Sequence, residues 1–127
     1  MLIHDQRLLG DIKAEFSAQF SALKIEFYER SHEAGEGSRA SDQLPDGASL
    51  GSVRTRHAEG NFQIQPTQTV GEVEGLFAEL YGLYAQIFRL TKGVWMQTTS
   101  TDHWTLEQQQ AHATQPAYEI DRTIDPD

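Results

Sequence analysis

Cysteine is absent from the 127 residues, which removes disulfides, thiolate metal sites and cysteine nucleophiles together. Long apolar runs are missing too. No stretch approaches the ~20 residues that span a bilayer, so no membrane segment is expected. The opening Met1-Leu2-Ile3-His4-Asp5-Gln6-Arg7 lacks a basic region followed by an apolar one. No signal peptide is therefore expected, and a bacterial-type cytoplasmic location is the default. Positive charge is scarce, with 10 Lys and Arg against 19 Asp and Glu and a formal net charge of −9. Residues 1–100 hold 9 Lys/Arg against 13 acids, and residues 101–127 hold Arg122 against six. Such a balance disfavours nucleic acid, whose binding rests on cations displacing phosphate counterions, and anionic lipid surfaces. It suits a solvated protein or one that meets a basic protein partner.

What is present reads as alternating helices and strands. Leu8, Ile12, Phe16 and Phe20 recur every fourth position, with Leu9 beside them, and predict a helix over 5–21 with Asp5 as its N-cap. The period then changes. Leu23, Ile25 and Phe27 alternate with Lys24, Glu26 and Tyr28, the pattern of a strand with one buried face. Residues 31–47 have no periodicity and read as a long solvated loop. Leu50 and Val53 mark a short helix near 48–56, and Phe62 and Ile64 a short strand ended by Pro66.

Thr69-x-x-Glu72 is a capping box opening a helix. Val70, Val73, Leu76, Phe77, Leu80 and Tyr81 follow on one face, and Gly82 suits a left-handed stop. A β-hairpin is expected over 83–99, turning at Thr91-Lys92-Gly93. Its first strand is apolar on both faces and should lie centrally. A second box-like pattern, Thr105-x-x-Gln108, starts a short helix near 102–113, with Asp102 an alternative cap. The acidic tail 116–127 is expected to be flexible.

The two halves superimpose in pattern. Ile12, Phe16 and Phe20 match Val73, Phe77 and Tyr81 at an offset of 61, and Leu23, Ile25 and Phe27 match Leu83, Ala85 and Ile87 at 60. Asp46-x-x-Ser49-Leu50 parallels Asp102-x-x-Thr105-Leu106. The expected fold class is α+β, with two degenerate helix–strand repeats (about 1–57 and 60–113) packed on one another in a single compact domain, 1–115. The capped helix ending Tyr81-Gly82-Leu83, the hairpin, and Asp102-x-Trp104-Thr105-Leu106 resemble small bacterial two-repeat α+β proteins. That resemblance implies a fold and no activity. The strand–helix–strand unit is also distantly similar to ubiquitin-like β-grasp modules.

Chemical motifs are sparse. His103 and His112 flank one helix nine residues apart, ~180° around its axis, and cannot share a metal from it. No HExxH spacing, nucleophile elbow or P-loop occurs, and Gly35-x-Gly37 lacks the remainder of a dinucleotide fingerprint. No cofactor or metal is expected. Tyr84, Phe88, Trp95 and Trp104 form a candidate interaction surface, unless the helix beside Trp104 covers it. His57, Asp102 and His103 are the polar candidates. The first reading is a non-catalytic interaction module: an adaptor, a regulatory subunit or an immunity-like binder of a basic protein. The alternative is a ligand carrier or small enzyme with a pocket between the repeats, where those polar side chains would converge. A third, nucleic-acid binding through Arg54, Arg56 and Arg89, is disfavoured by the net charge.

Overall fold

A computed structural model describes residues 1–30 and 37–113. The tail 116–127 and part of the 31–47 loop lie outside the described residues. Two strands, β1 (Leu2–Ile3) and β3 (Gly60–Asn61), form an antiparallel ribbon. A second antiparallel sheet has the order β2–β4–β5, made of β2 (Leu23–Tyr28), β4 (Tyr84–Thr91) and β5 (Val94–Gln97). The α-helices among the described residues are α1 (Leu9–Gln19), α2 (Leu50–Val53), α3 (Val70–Tyr81) and α4 (Leu106–Ala113). The chain is α+β, and β4 is central, as its two apolar faces require.

The core is one cluster fed by both halves. Ile12, Phe16 and Phe20 meet Leu23, Ile25 and Phe27 from the first half and Val73, Phe77, Tyr81, Ala85 and Ile87 from the second. Phe77 is the hub, with the ring of Phe27 edge-on at 5.4 Å and that of Phe62 at 4.8 Å. The interior between the halves is therefore packed side chain.

Helix ends follow local chemistry in most places. Thr69 Oγ1 accepts the Glu72 amide at 3.1 Å, while the Thr69 amide donates to Glu72 Oε1 at 2.8 Å. The Thr105–Gln108 box has the same two distances, so Thr105 caps α4 and Asp102 does not. Gly82 stops α3 at φ +66°. Lys92 and Gly93, with φ of +50° and +80°, make the two-residue turn whose twist suits a hairpin.

Three expectations need correction. Helix α1 begins at Leu9 with Leu8 at its N-cap position, and Asp5 is no cap. Its carboxylate is claimed by Arg54, far along the chain. Phe62 and Ile64 are buried, but the strand pairing falls just before them, at Gly60–Asn61. Part of the expected solvated loop is tied to the sheet, since the Leu44 amide donates to the Phe27 carbonyl (2.8 Å) and the Glu29 amide to that of Asp42 (2.9 Å).

The helix starts meet in pairs. The Leu9 amide donates to the Ala48 carbonyl and the Leu50 amide to that of Arg7; Gly10 donates to Asp46 and Gly51 to Asp5. The same four bonds recur between the starts of α3 and α4. Val70 donates to Trp104, Leu106 to Gln68, Gly71 to Asp102 and Glu107 to Pro66. Each clasp satisfies orphan amides at two helix N-termini with loop carbonyls of the opposite member. The chains approach closely here, and Gly10, Gly51 and Gly71 stand at the second helical position, which Glu107 fills in α4. A Cβ on Gly51 would lie 2.8 Å from Asp5 Cβ, and one on Gly10 would lie 3.1 Å from Asp46 Cβ.

Candidate functional site

Strand parity sorts the sheet's side chains. In β2 and β4, Leu23, Ile25, Phe27, Ala85, Ile87 and Arg89 leave one face, and Lys24, Glu26, Tyr28, Tyr84, Gln86 and Phe88 the other. The first face takes the helices. The second is half covered by residues 37–43: Ser38 exchanges bonds with the Gln97 amide (3.0 and 2.9 Å), and Gln43 donates to Glu26 (3.0 Å). Beyond that cover lies an aromatic strip in which Lys24 Nζ sits 4.9 Å from the Phe88 ring centroid and 5.3 Å from that of Trp95.

The strip ends at the rim of the sheet. The two-residue turn makes Thr91 and Val94 its closing hydrogen-bonded pair, so Arg89 and Met96 form the next. Val94 and Met96 thus spend their backbone groups on β4. The N–H and C=O of Trp95 and Gln97 point outward and have no backbone partner among the described residues. Side chains here are bare as well, with Val94 56 %, Trp95 38 % and Met96 49 % exposed. Val94-Trp95-Met96-Gln97 has no charge and no proline, the usual devices that keep an edge from pairing. The opposite rim is treated differently, because residues 42–44 bond to the outer edge of β2.

Of the predicted surface, Tyr84, Phe88 and Trp95 share this face and Trp104 does not. Arg89 leaves β4 on the helix side, lies 5.5 Å from the Trp104 ring and donates to Gln109 Oε1 at 2.8 Å. Leu106 and Gln109 are fully buried on that side. The helix beside Trp104 therefore packs behind the sheet and is not what covers the Tyr84–Phe88–Trp95 face. Trp104 instead stacks edge-on with His112 at 5.4 Å, and with Gln108 and Ala111 lines a shallow, open groove of about 420 Å³.

The polar candidates are dispersed. Asp102 and His103 lie in the loop clasped to the start of α3, through the bond from Gly71 to Asp102. His57 belongs to a group at the other end of that helix, ~16 Å away at 1.5 Å per residue. There Arg54, its side chain fully buried, donates to Asp5 Oδ1 through Nε (3.1 Å) and Nη2 (2.8 Å), and through Nη1 to the Tyr81 carbonyl (3.2 Å). These Arg54 bonds hold the Asp5 carboxyl below its ordinary range. Burial opposes them and His57 reinforces them. Because that carboxylate can only accept, His57 carries its hydrogen on Nδ1 and donates to Asp5 Oδ2 at 2.8 Å. The pair orients an imidazole as hydrolytic enzymes do, but no hydroxyl among the described residues bonds to the ring. The group ties the N-terminal segment to the end of α3.

A second polar cluster wraps the β2 edge. Glu26 accepts from Lys13 at 2.6 Å and sits 3.3 Å from Lys24, and Lys13 also bonds Asp46. Burial, helped by Glu26 and Glu74, pushes the neighbouring Tyr28 hydroxyl up to about 12. Among the described residues, no three His, Cys, Asp or Glu side chains gather as a metal would need, and no helix is long and apolar enough to cross a membrane.

Sequence reasoning missed two features. One is the bare edge, which needs the strand order to be seen. The other is the Asp5–Arg54–His57 group, for which only the reading of His57 as a polar candidate gave a lead. Compared with known proteins, the chain matches no family, no curated relative and no solved structure.

Proposed function

We propose that this chain is a non-catalytic protein-interaction module that captures an extended segment of another protein along β5. The observation that carries this reading is the outer edge of β5, unpaired among the described residues and exposed in its side chains. An added strand would form up to four backbone hydrogen bonds with Trp95 and Gln97, each contributing about 0.5–1.5 kcal/mol net. Association itself costs about 4–15 kcal/mol, so backbone pairing alone cannot hold a partner. Burial of Val94, Trp95 and Met96 has to supply the rest, and their exposure in the free chain makes that area available.

The matching clasps at the starts of α1/α2 and α3/α4 support reading the halves as degenerate repeats. The halves differ where the docking edge lies. β2 has six residues, whereas β4 has eight and runs on into the hairpin. On this reading the shared parts build the body and the added hairpin carries the interaction.

The test pairs co-purification mass spectrometry with the double substitution Val94→Lys, Met96→Lys. Both side chains are exposed, and lysine on an edge strand blocks pairing without disturbing the ladder to β4. Proteins held by the wild-type chain should be lost from the variant at unchanged far-UV circular dichroism. Equal retention by both chains, or nothing retained by either, refutes the proposal.

A further inference from the structure

The charges around the edge indicate what kind of segment fits it, an inference that rests on the docking role of β5. On a chain with net charge −9, the strip beside Trp95 carries cations. The Lys24 ammonium lies over both the Phe88 and Trp95 rings, and Lys92 stands exposed in the hairpin turn. Among the described residues, the carboxylate beside Lys24 is that of Glu26 at 3.3 Å, buried and also met by Lys13 and Gln43. Arg89 lies on the other face and is spent on Gln109 and Trp104. The Debye length at physiological salt is about 8 Å, so charges close to the edge count for more than the acids far from it.

The two faces of the edge also differ. Val94 and Met96 offer an apolar surface on the helix side, and Trp95 with Lys24 an aromatic and cationic one on the other. Successive side chains of an added strand meet these two faces in turn. We propose that β5 binds an extended segment in which apolar residues alternate with carboxylates. The apolar side chains lie on Val94 and Met96, and the carboxylates lie on the side of Trp95 and Lys24, with Lys92 attracting an acid near one end. A second copy of this chain fits less well. A four-residue strand paired with its own image covers little of the ~1,200 Å² that stable interfaces bury, and both copies carry −9.

The experiment titrates the full chain with three eight-residue peptides, alternating apolar residues with glutamate, with glutamine or with lysine. Binding is read by tryptophan fluorescence and by the amide shifts of Trp95 and Gln97. The glutamate peptide should bind about tenfold more tightly than the glutamine one at low salt, as two exposed charge contacts allow, and the margin should shrink as salt is raised. Lys24→Met with Lys92→Gln should erase the margin between the glutamate and glutamine peptides. Val94→Lys with Met96→Lys should abolish all binding. Equal affinity for the glutamate and glutamine peptides would overturn the acidic preference while the docking edge stands, and tightest binding of the lysine peptide would reverse its sign. Absence of peptide binding, with a wild-type dimer that the double lysine variant dissolves, would show that a second copy fills the edge and overturn both.

Discussion

The clasps make opposite predictions for chemically identical substitutions. Glycine to alanine in a helix gains about 0.5–1 kcal/mol from propensity and reduced unfolded-chain entropy. At Gly75, exposed in α3, an added Cβ meets nothing within 4 Å, so Gly75→Ala should collect that gain in full. At Gly51 the new methyl would sit 2.8 Å from Asp5 Cβ and 3.0 Å from Asp5 Cγ. Asp5 has little room to give, because Arg54 and His57 hold its carboxylate. Overpacking of this sort costs about 1–3 kcal/mol and exceeds the propensity gain. Gly51→Ala should therefore lose about 1–2 kcal/mol net. Gly10→Ala, at 3.1 Å from Asp46 Cβ, should lose less, and Gly71→Ala, at 3.3 Å from the Asp102 carbonyl, should be near neutral. Urea denaturation at 25 °C resolves the order, since 1 kcal/mol moves the midpoint by about 0.3–1 M at ordinary slopes. A Gly51→Ala chain as stable as wild type, or a destabilised Gly75→Ala, would refute the close approach at the helix starts.

Two further outcomes concern pH. Arg54 keeps the folded-state pKa of Asp5 depressed, so the ionised carboxylate stabilises the fold above the ordinary value of 3.8, and that contribution is lost as pH falls through the lower folded value. Wild type should exceed Asp5→Asn in urea midpoint at neutral pH and lose its lead in acid; a lead that persists in strong acid would refute the role of the charge. Tyr28 is shifted the other way, from 10.0 to about 12, so its neutral form stabilises the fold below pH 10 and that contribution disappears as pH rises through the folded value. Absorbance at 295 nm should show a late tyrosine phase that Tyr28→Phe removes.

Local chemistry was readable from residues close in sequence. Thr69, Glu72 and Gly82 define α3 among themselves, and the alternation of Leu23, Ile25 and Phe27 marks β2 without outside help. Asp5 shows where such reading stops. A cap and a buried arginine's partner look alike in sequence, and Arg54 reaches Asp5 only once the first half has closed. The clasp left a readable trace in four spacings, Asp5-x-x-Leu8-Leu9-Gly10, Asp46-x-x-Ser49-Leu50-Gly51, Pro66-x-x-Thr69-Val70-Gly71 and Asp102-x-x-Thr105-Leu106-Glu107. Glycine just inside a helix start has no propensity reason to be there, and its recurrence was the available signal. The side taken by Trp104 was beyond periodicity, because α4 has only eight residues and its phase cannot say which face of a sheet it meets. The bare edge was hidden for a topological reason: alternation identifies Val94–Gln97 as a strand and is silent on whether anything lies outside it.

The pairing of β2 with β4 has a consequence for the order of events during synthesis. A nascent chain that has delivered only the first half leaves the inner edge of β2 open, since that edge bonds to β4 and β4 has not yet been made. Helix α2, at four residues, cannot persist without a finished interior. Completion of the sheet and of the interior should therefore wait until Tyr84–Thr91 has cleared the exit tunnel.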